Sequence, residues 1–95
     1  MADVTIVDNP DERRYEAFVD GAFAGMAVYQ RRADRIVFLH TEVDDAFEGH
    51  GVGGQLARFA LDDARERHLG VVPRCPFIRA YIERHPEYQD LVAAS

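Results

Sequence analysis

Lysine is absent from this chain: all 11 basic residues are arginine, set against 17 aspartates and glutamates. A Walker A loop needs a lysine after its last glycine to reach the phosphates, so a P-loop NTPase is excluded. The net charge of −6 at pH 7 lacks the positive surplus that nucleic acid or an anionic membrane selects. Cysteine occurs once, at position 75, so no internal disulfide forms, which suits a reducing cytoplasm. No apolar run reaches the roughly 20 residues needed to cross a bilayer, and Met-Ala-Asp-Val does not read as a signal peptide. Linkers, repeats and low-complexity segments are missing too. The expectation is one domain over residues 1–95, cytoplasmic, with no nucleic-acid or membrane partner. The missing lysine beside abundant Arg, Ala, Asp and Gly reads as the bias of a GC-rich genome rather than as a functional signal.

What is present is periodic. With 47% hydrophobic residues in 95, the chain is globular, but its core is modest and a partner subunit would help it; monomer and homodimer both stay open. Val4–Val7 reads as a short strand closed by Asn9-Pro10. Arg13–Asp20 alternates with Tyr15, Ala17 and Val19 on one side, and Asp20-Gly21 is a hairpin turn signal. Ala22–Gln30 continues as the second hairpin strand, with Phe23, Gly25, Ala27 and Tyr29 on one side. After the polar turn 31–34 comes a β-branched strand from Arg35 to Val43. Val52, Leu56, Ala60 and Ala64 recur at helical spacing and predict a helix over 52–68, stopped by Gly70. Val71–Cys75 reads as a buried strand halted by Pro76, followed by short helices over 77–84 and 87–92. The strand, helix, strand order calls for parallel pairing through a right-handed crossover. The fold class is therefore α/β: an antiparallel meander, then a β-α-β crossover and short C-terminal helices.

Between the long strand and the helix lies Glu48-Gly49-His50-Gly51-Val52-Gly53-Gly54, with four glycines in six positions. Glycines let the backbone approach a ligand, and the helix start adds unpaired amides and the positive end of its dipole. That is a cradle for phosphate or pyrophosphate. Gly49, Gly51 and Gly54 satisfy G-x-G-x-x-G, but residues 44–48 intervene after the strand, and no carboxylate follows about 20 positions on. A nucleotide-like or coenzyme-like ligand held outside a Rossmann fold is the better reading.

Hairpins, a glycine loop opening a helix, a crossover strand and a tyrosine-bearing helix resemble the GCN5-related N-acetyltransferases. Their pyrophosphate motif Q/R-x-x-G-x-G/A is matched by residues 48–53 except at Glu48. Four blocks, His40-Thr41-Glu42-Val43, residues 48–53, Pro73-Arg74-Cys75-Pro76-Phe77 and residues 81–88, resemble the small stand-alone YjdJ-like branch. The resemblance implies a mixed sheet of that family's type, with acetyl-CoA bound in a cleft between the strand before the loop and the strand after the helix. Glu42 and Val43 are then backbone partners of the pantetheine. Glu48, Gly49, His50, Gly51, Val52, Gly53 and Gly54 hold the pyrophosphate, with the Glu48 amide toward the ligand and its carboxylate turned away. Cys75, Phe77 and Tyr81 line the cofactor.

The resemblance also distributes chemical roles. Tyr81 is the acid that protonates the departing thiolate, or else an aromatic packed with Phe77. Cys75 is a nucleophile that takes the acetyl group first, or a small buried residue before proline. His40 is the base that neutralises an amine acceptor, with Glu42 its alternate on the same strand face. Arg58 adds positive charge or belongs to a solvated helix face. The acidic and histidine side chains of residues 40–50 match no metal-ligand template, so no metal is expected. Family members carry extra helices between the first strands; here Asn9-Pro10-Asp11-Glu12 leads straight into a hairpin, leaving the acceptor side open. The implied partners are acetyl-CoA and an unidentified amine. Two alternatives remain, a non-catalytic acyl-CoA binding module and a phosphate-ligand domain unrelated to CoA.

Overall fold

Short alternating strands joined by tight turns have one inexpensive way to pair, antiparallel with the next in line. β1 (Val4–Asn9), β2 (Arg14–Val19), β3 (Ala22–Arg31) and β4 (Arg35–Val43) do so in sequence order. At the Asp20-Gly21 turn both residues have positive φ, 49° and 86°, the conformation that matches the twist of a two-residue hairpin. β5 (Gly70–Pro73) then lies parallel to β4, from Arg35↔Gly70 to Phe38↔Pro73. The molecule is seen as a computed structural model that describes residues 3–93.

Helix α1 (Val52–Glu66) buries Val52, Leu56, Ala57, Ala60, Leu61 and Ala64 against the sheet, and the three alanines let the helix approach closely. Helix α2 (Pro76–Arg84) adds Ile78 and Ile82 to the same core, where Tyr15, Ile36 and Phe38 supply the large sheet side chains. Three tyrosines clamp polar partners at the core margin: Tyr15 donates to Asp63 (2.7 Å), Tyr29 to Asp8 (2.5 Å) and Tyr88 to Asp62 (2.7 Å). Among the described residues no helix covers the opposite face of the sheet, which carries Val28, Val37 and Val72.

Several local expectations are corrected. The β2–β3 register passes from Ala17↔Gly25 to Phe18↔Phe23, so Ala24 is a bulge residue. A bulge reverses the alternation beyond it: Ala24 is fully buried, while Phe23 stands 44% exposed on the open face, against Phe18 (5.9 Å) and under the Arg14 guanidinium (5.6 Å). Gly70 is not the helix stop. His68 is, with φ +58°; its amide donates to Arg65 O (3.1 Å) and the Leu69 amide to Ala64 O (2.9 Å), the paired bonds of a Schellman turn. Gly70 instead starts β5, where a Cβ would sit 2.9 Å from that of Ala93. The last strand is shorter than 71–75 implied: Cys75 caps α2. The 87–92 segment is a 3-10 helix over Pro86–Leu91. A further 3-10 turn over Asp45–Phe47 had no counterpart in the sequence reading; the Asp44 carboxylate caps it by accepting from the Ala46 amide at 2.9 Å.

Candidate functional site

The glycine loop leaves β4 through the Asp45–Phe47 turn and enters α1 at Gly51, which caps the helix with φ +72° and has no side chain to satisfy the first amides. The first bond of α1 runs from the Gln55 amide to Gly51 O at 3.1 Å. Ahead of it, the amides of Val52, Gly53 and Gly54 have no intrahelical acceptor. Gly49 and Gly51 both adopt positive φ, and a Cβ on either would meet nothing within 4 Å. Among the described residues, no protein acceptor takes the amides of Gly49, Gly51, Val52, Gly53 or Gly54. Two residues of the loop behave differently. The Glu48 amide donates to Asp45 O and the His50 amide to Phe47 O, each at 3.3 Å. The Glu48 amide is thus engaged within the loop rather than directed to a ligand.

The second glycine pair serves packing as well as amide presentation. A Cβ on Gly53 would lie 2.8 Å from Phe77 Cζ, and one on Gly54 4.0 Å from Tyr81 Cε2. Helix α2 therefore rests its first two aromatic side chains on the glycine turn of α1. Phe77 stays 38% exposed beside it.

A split opens next to this turn. The β4–β5 register ends at Phe38↔Pro73, with the Cys75 amide donating to Phe38 O at 2.9 Å. Beyond that point β5 gives way to α2, and the segment 39–43 has no β5 partner. The bulge at Leu39 re-aims it: Tyr29 pairs with Phe38, but Val28 pairs with His40. Downstream, the Asp44 amide donates to Ala24 O at 2.7 Å. Glu42 O lies 2.6 Å from where a Gly25 Cβ would be. The backbone of Glu42 is thus committed to β3, and by alternation that of Val43 faces the split.

Thr41 Oγ1 and Cys75 Sγ are in hydrogen-bond contact across the split at 3.2 Å, and Cys75 is 2% exposed. Sequence reasoning passed over Thr41, because its position depends on the bulge, which no residue pattern announces. His40 and Glu42 sit on the open face, where His40 Nε2 is 3.4 Å from Glu42 Oε1 with both side chains more than half exposed. Tyr81 stacks on His85 with ring centroids 3.9 Å apart, and the His85 ring nitrogen Nδ1 lies 2.8 Å from Tyr81 O. Of the four tyrosines, Tyr81 alone has a hydroxyl without a protein partner among the described residues. Burial raises its pKa, while the positive charge of Arg58 pulls the other way. Arg58 itself is exposed and 3.9 Å from Asp62. Among the described residues no three histidine, cysteine or acidic side chains converge as a metal site would require.

The donor set suits an acyl-CoA: free amides and unobstructed glycines for a pyrophosphate, an uncovered strand edge at Val43 for amide groups, and apolar Phe77 alongside. Comparison with known proteins identifies the family. A family model described as GCN5-related N-acetyl-transferase matches residues 14–91. Protein NATD1 of Mus musculus is 31% identical over 85 residues, covering 87% of this chain and 77% of that protein. Protein NATD1 of Homo sapiens is 40% identical over 60 residues, 62% of this chain, and that match spans about half (53%) of its length. A Staphylococcus aureus protein solved by NMR and described as GCN5-like superposes with a TM-score of 0.70 at 26% identity, covering 100% of this chain and 93% of the other. The ribosomal-protein-alanine N-acetyltransferase of Brucella melitensis shares the fold, with a TM-score of 0.61 at 22% identity over 86% of this chain and 62% of its own.

Proposed function

The chain belongs to the GCN5-related N-acetyltransferases, and from that membership we propose that it binds acetyl-CoA and moves the acetyl group to an amine. Its placement in the YjdJ-like branch rests on the four sequence blocks. The observation that carries the proposal is the set of five amides, of Gly49, Gly51, Val52, Gly53 and Gly54, that have no protein acceptor among the described residues, beside Tyr81, whose hydroxyl likewise has no protein partner among them. Acetyl-CoA supplies an activated acyl carbon and a thiolate leaving group.

The amides of Gly49, Gly51, Val52, Gly53 and Gly54 offset the pyrophosphate charge in a chain that has no lysine to do so. Val43 presents its backbone groups to the pantetheine amides as a strand edge would. Because burial raises its pKa, Tyr81 keeps its proton at neutral pH and can pass it to the leaving sulfur. From the open face, His40, whose Nε2 lies 3.4 Å from Glu42 Oε1, removes the proton that an attacking amine must lose. Cys75, buried at the split, is the candidate for a covalent route in which its sulfur attacks the thioester carbonyl and gives up its proton, the C–S bond to CoA breaks and CoA leaves as the thiol, and the acetyl group then passes from the Cys75 sulfur to the amine.

Calorimetric titration with acetyl-CoA, CoA and ADP, followed by an amine panel, tests this. Binding of the CoA pair well above ADP is expected, and Tyr81→Phe should lower transfer about a hundredfold with CoA affinity nearly unchanged. Tight binding without turnover on any amine would make the protein an acyl-CoA binding module. Equal binding of ADP and CoA would sink both readings. An acetyl adduct in the intact mass that disappears in Cys75→Ala would establish the covalent route.

A further inference from the structure

A groove on the open face of the sheet runs against the charge of the chain as a whole. The net charge is −6, yet Arg32, Arg35 and Arg74 line a groove of about 600 Å3 whose lining includes no carboxylate. Val37, Leu39 and Val72 form its apolar floor. Arg35 is paired with Asp34 at 3.2 Å, and Arg14, further along the face, with Glu16 at 2.7 Å. Arg32 and Arg74 have no carboxylate partner among the described residues. Guanidinium groups above a floor of buried valines attract an anion more strongly than they would in open water.

The groove adjoins the side from which an acceptor reaches His40. The β4–β5 register ends at Phe38↔Pro73, which sets Arg74 level with Leu39, and His40 follows Leu39 on β4. One strand spacing across and one residue along put the backbones of Arg74 and His40 about 6 Å apart. The volume is that of a small-molecule site, and a guanidinium pairs with carboxylate or phosphate through two parallel hydrogen bonds. Resting on the acetyl-transfer reading, we propose that the acceptor is a small amine bearing a carboxylate or a phosphate, seated in this groove with its anion on Arg74 and its nitrogen at His40.

Arg32 belongs to the turn before β4, where its amide donates to Arg35 O at 2.8 Å, so it adds positive potential from the far end of the groove. On the nitrogen's side Glu42 Oε1 lies 3.4 Å from His40 Nε2. A carboxylate thus stands where the ammonium arrives and a guanidinium where the anion rests, a bipolar site for a bipolar molecule. During transfer the nitrogen bonds to the acetyl carbon as the C–S bond breaks; its proton passes to His40 and CoA leaves as the thiol.

Three probes test the assignment: 4-aminobutyrate, 2-aminoethyl phosphate and butylamine, which has no anion. Each is titrated into the 15N-labelled protein, and each is offered with acetyl-CoA while CoA release is followed. The anionic amines should shift the amides of Val37, Leu39 and Val72, and butylamine should not. For the better of the two, kcat/KM should exceed that of butylamine about tenfold or more, and which one is better tells carboxylate from phosphate. Arg74→Gln should bring that ratio close to one through KM, Arg32→Gln should lower it less, and Arg84→Gln on α2 should leave it unmoved. Because the ratio is taken within one variant, a loss of folded protein cancels from it. Equal turnover of charged and neutral amines, or a ratio indifferent to Arg74→Gln, would overturn the proposal and leave acetyl transfer standing. Groove shifts with the anionic amines but no turnover of any amine would sink acetyl transfer and keep the anion seat at Arg74.

Discussion

Replacing Gly25 by alanine is the sharpest test of how the split is held. The added methyl would lie 2.6 Å from Glu42 O and 3.3 Å from Val43 Cα, both backbone, and 3.4 Å from a Leu56 methyl. No side-chain rotation relieves the first two contacts, so β3 and β4 must part. Overpacking of this kind costs about 1–3 kcal/mol, and a clash with backbone belongs at the upper end. The substitution also restricts the unfolded chain, which returns about 0.4–1 kcal/mol. The net expectation is a loss of about 2 kcal/mol. At roughly 4–8 °C per kcal/mol for a domain of this size, the melting midpoint should fall by about 8–16 °C. Thermal and urea unfolding followed by circular dichroism would measure it. CoA titration of the folded variant should show weakened binding as well, since the displaced residues include Val43. A midpoint equal to or above that of the parent would refute the argument that Gly25 exists for strand approach.

Gly53→Ala makes the contrasting case: the three atoms nearest its methyl all belong to the tip of Phe77, a side chain 38% exposed rather than backbone, and alanine favours the helix by about 1 kcal/mol. Its stability should stay within about 1 kcal/mol of the parent in the same urea experiment. His68→Gly should raise stability by about 0.5–1 kcal/mol, because His68 holds φ +58° at the end of α1, a conformation that costs L residues and not glycine; a lowered midpoint would contradict it. Alkaline titration tests the tyrosine clamps. Burial first, then the hydrogen bond to Asp62, pushes the Tyr88 pKa from 10.0 up to about 12, and Tyr15 and Tyr29 are raised in the same way by burial and by Asp63 and Asp8. With folded values above the unfolded one, this stability is complete below pH 10.0 and is lost as pH rises toward the folded values. Unfolding should therefore set in above about pH 10, and Tyr88→Phe should flatten that loss.

Much of the fold was legible because it is written in local patterns. Asp20-Gly21 can make only a tight hairpin, the spacing from Val52 to Ala64 can only be helical, and a strand on each side of a helix calls for parallel pairing. The glycine loop was legible for the same reason: glycines shape the turn and a helix starts there, which leaves the amides of Gly49, Gly51, Val52, Gly53 and Gly54 without a protein acceptor among the described residues, while the His50 amide closes on Phe47 O. What misled was the assumption of unbroken alternation. An extra residue at Ala24 turned Phe23 outward, and another at Leu39 set Thr41 against Cys75 and left Glu42 bound to β3. Bulges arise where two strands meet, and neither strand alone records them.

The free hydroxyl of Tyr81 belongs to the same class. Four tyrosines look alike in sequence, and only packing decided that Asp63, Asp8 and Asp62 would occupy three of them. Sequence alone thus determined which backbone could present amides to a phosphate, because steric freedom at a glycine is local. The tertiary structure decided which side chains were left without partners and on which face of the sheet they stand, because hydrogen-bond satisfaction and strand register depend on residues far apart in the chain.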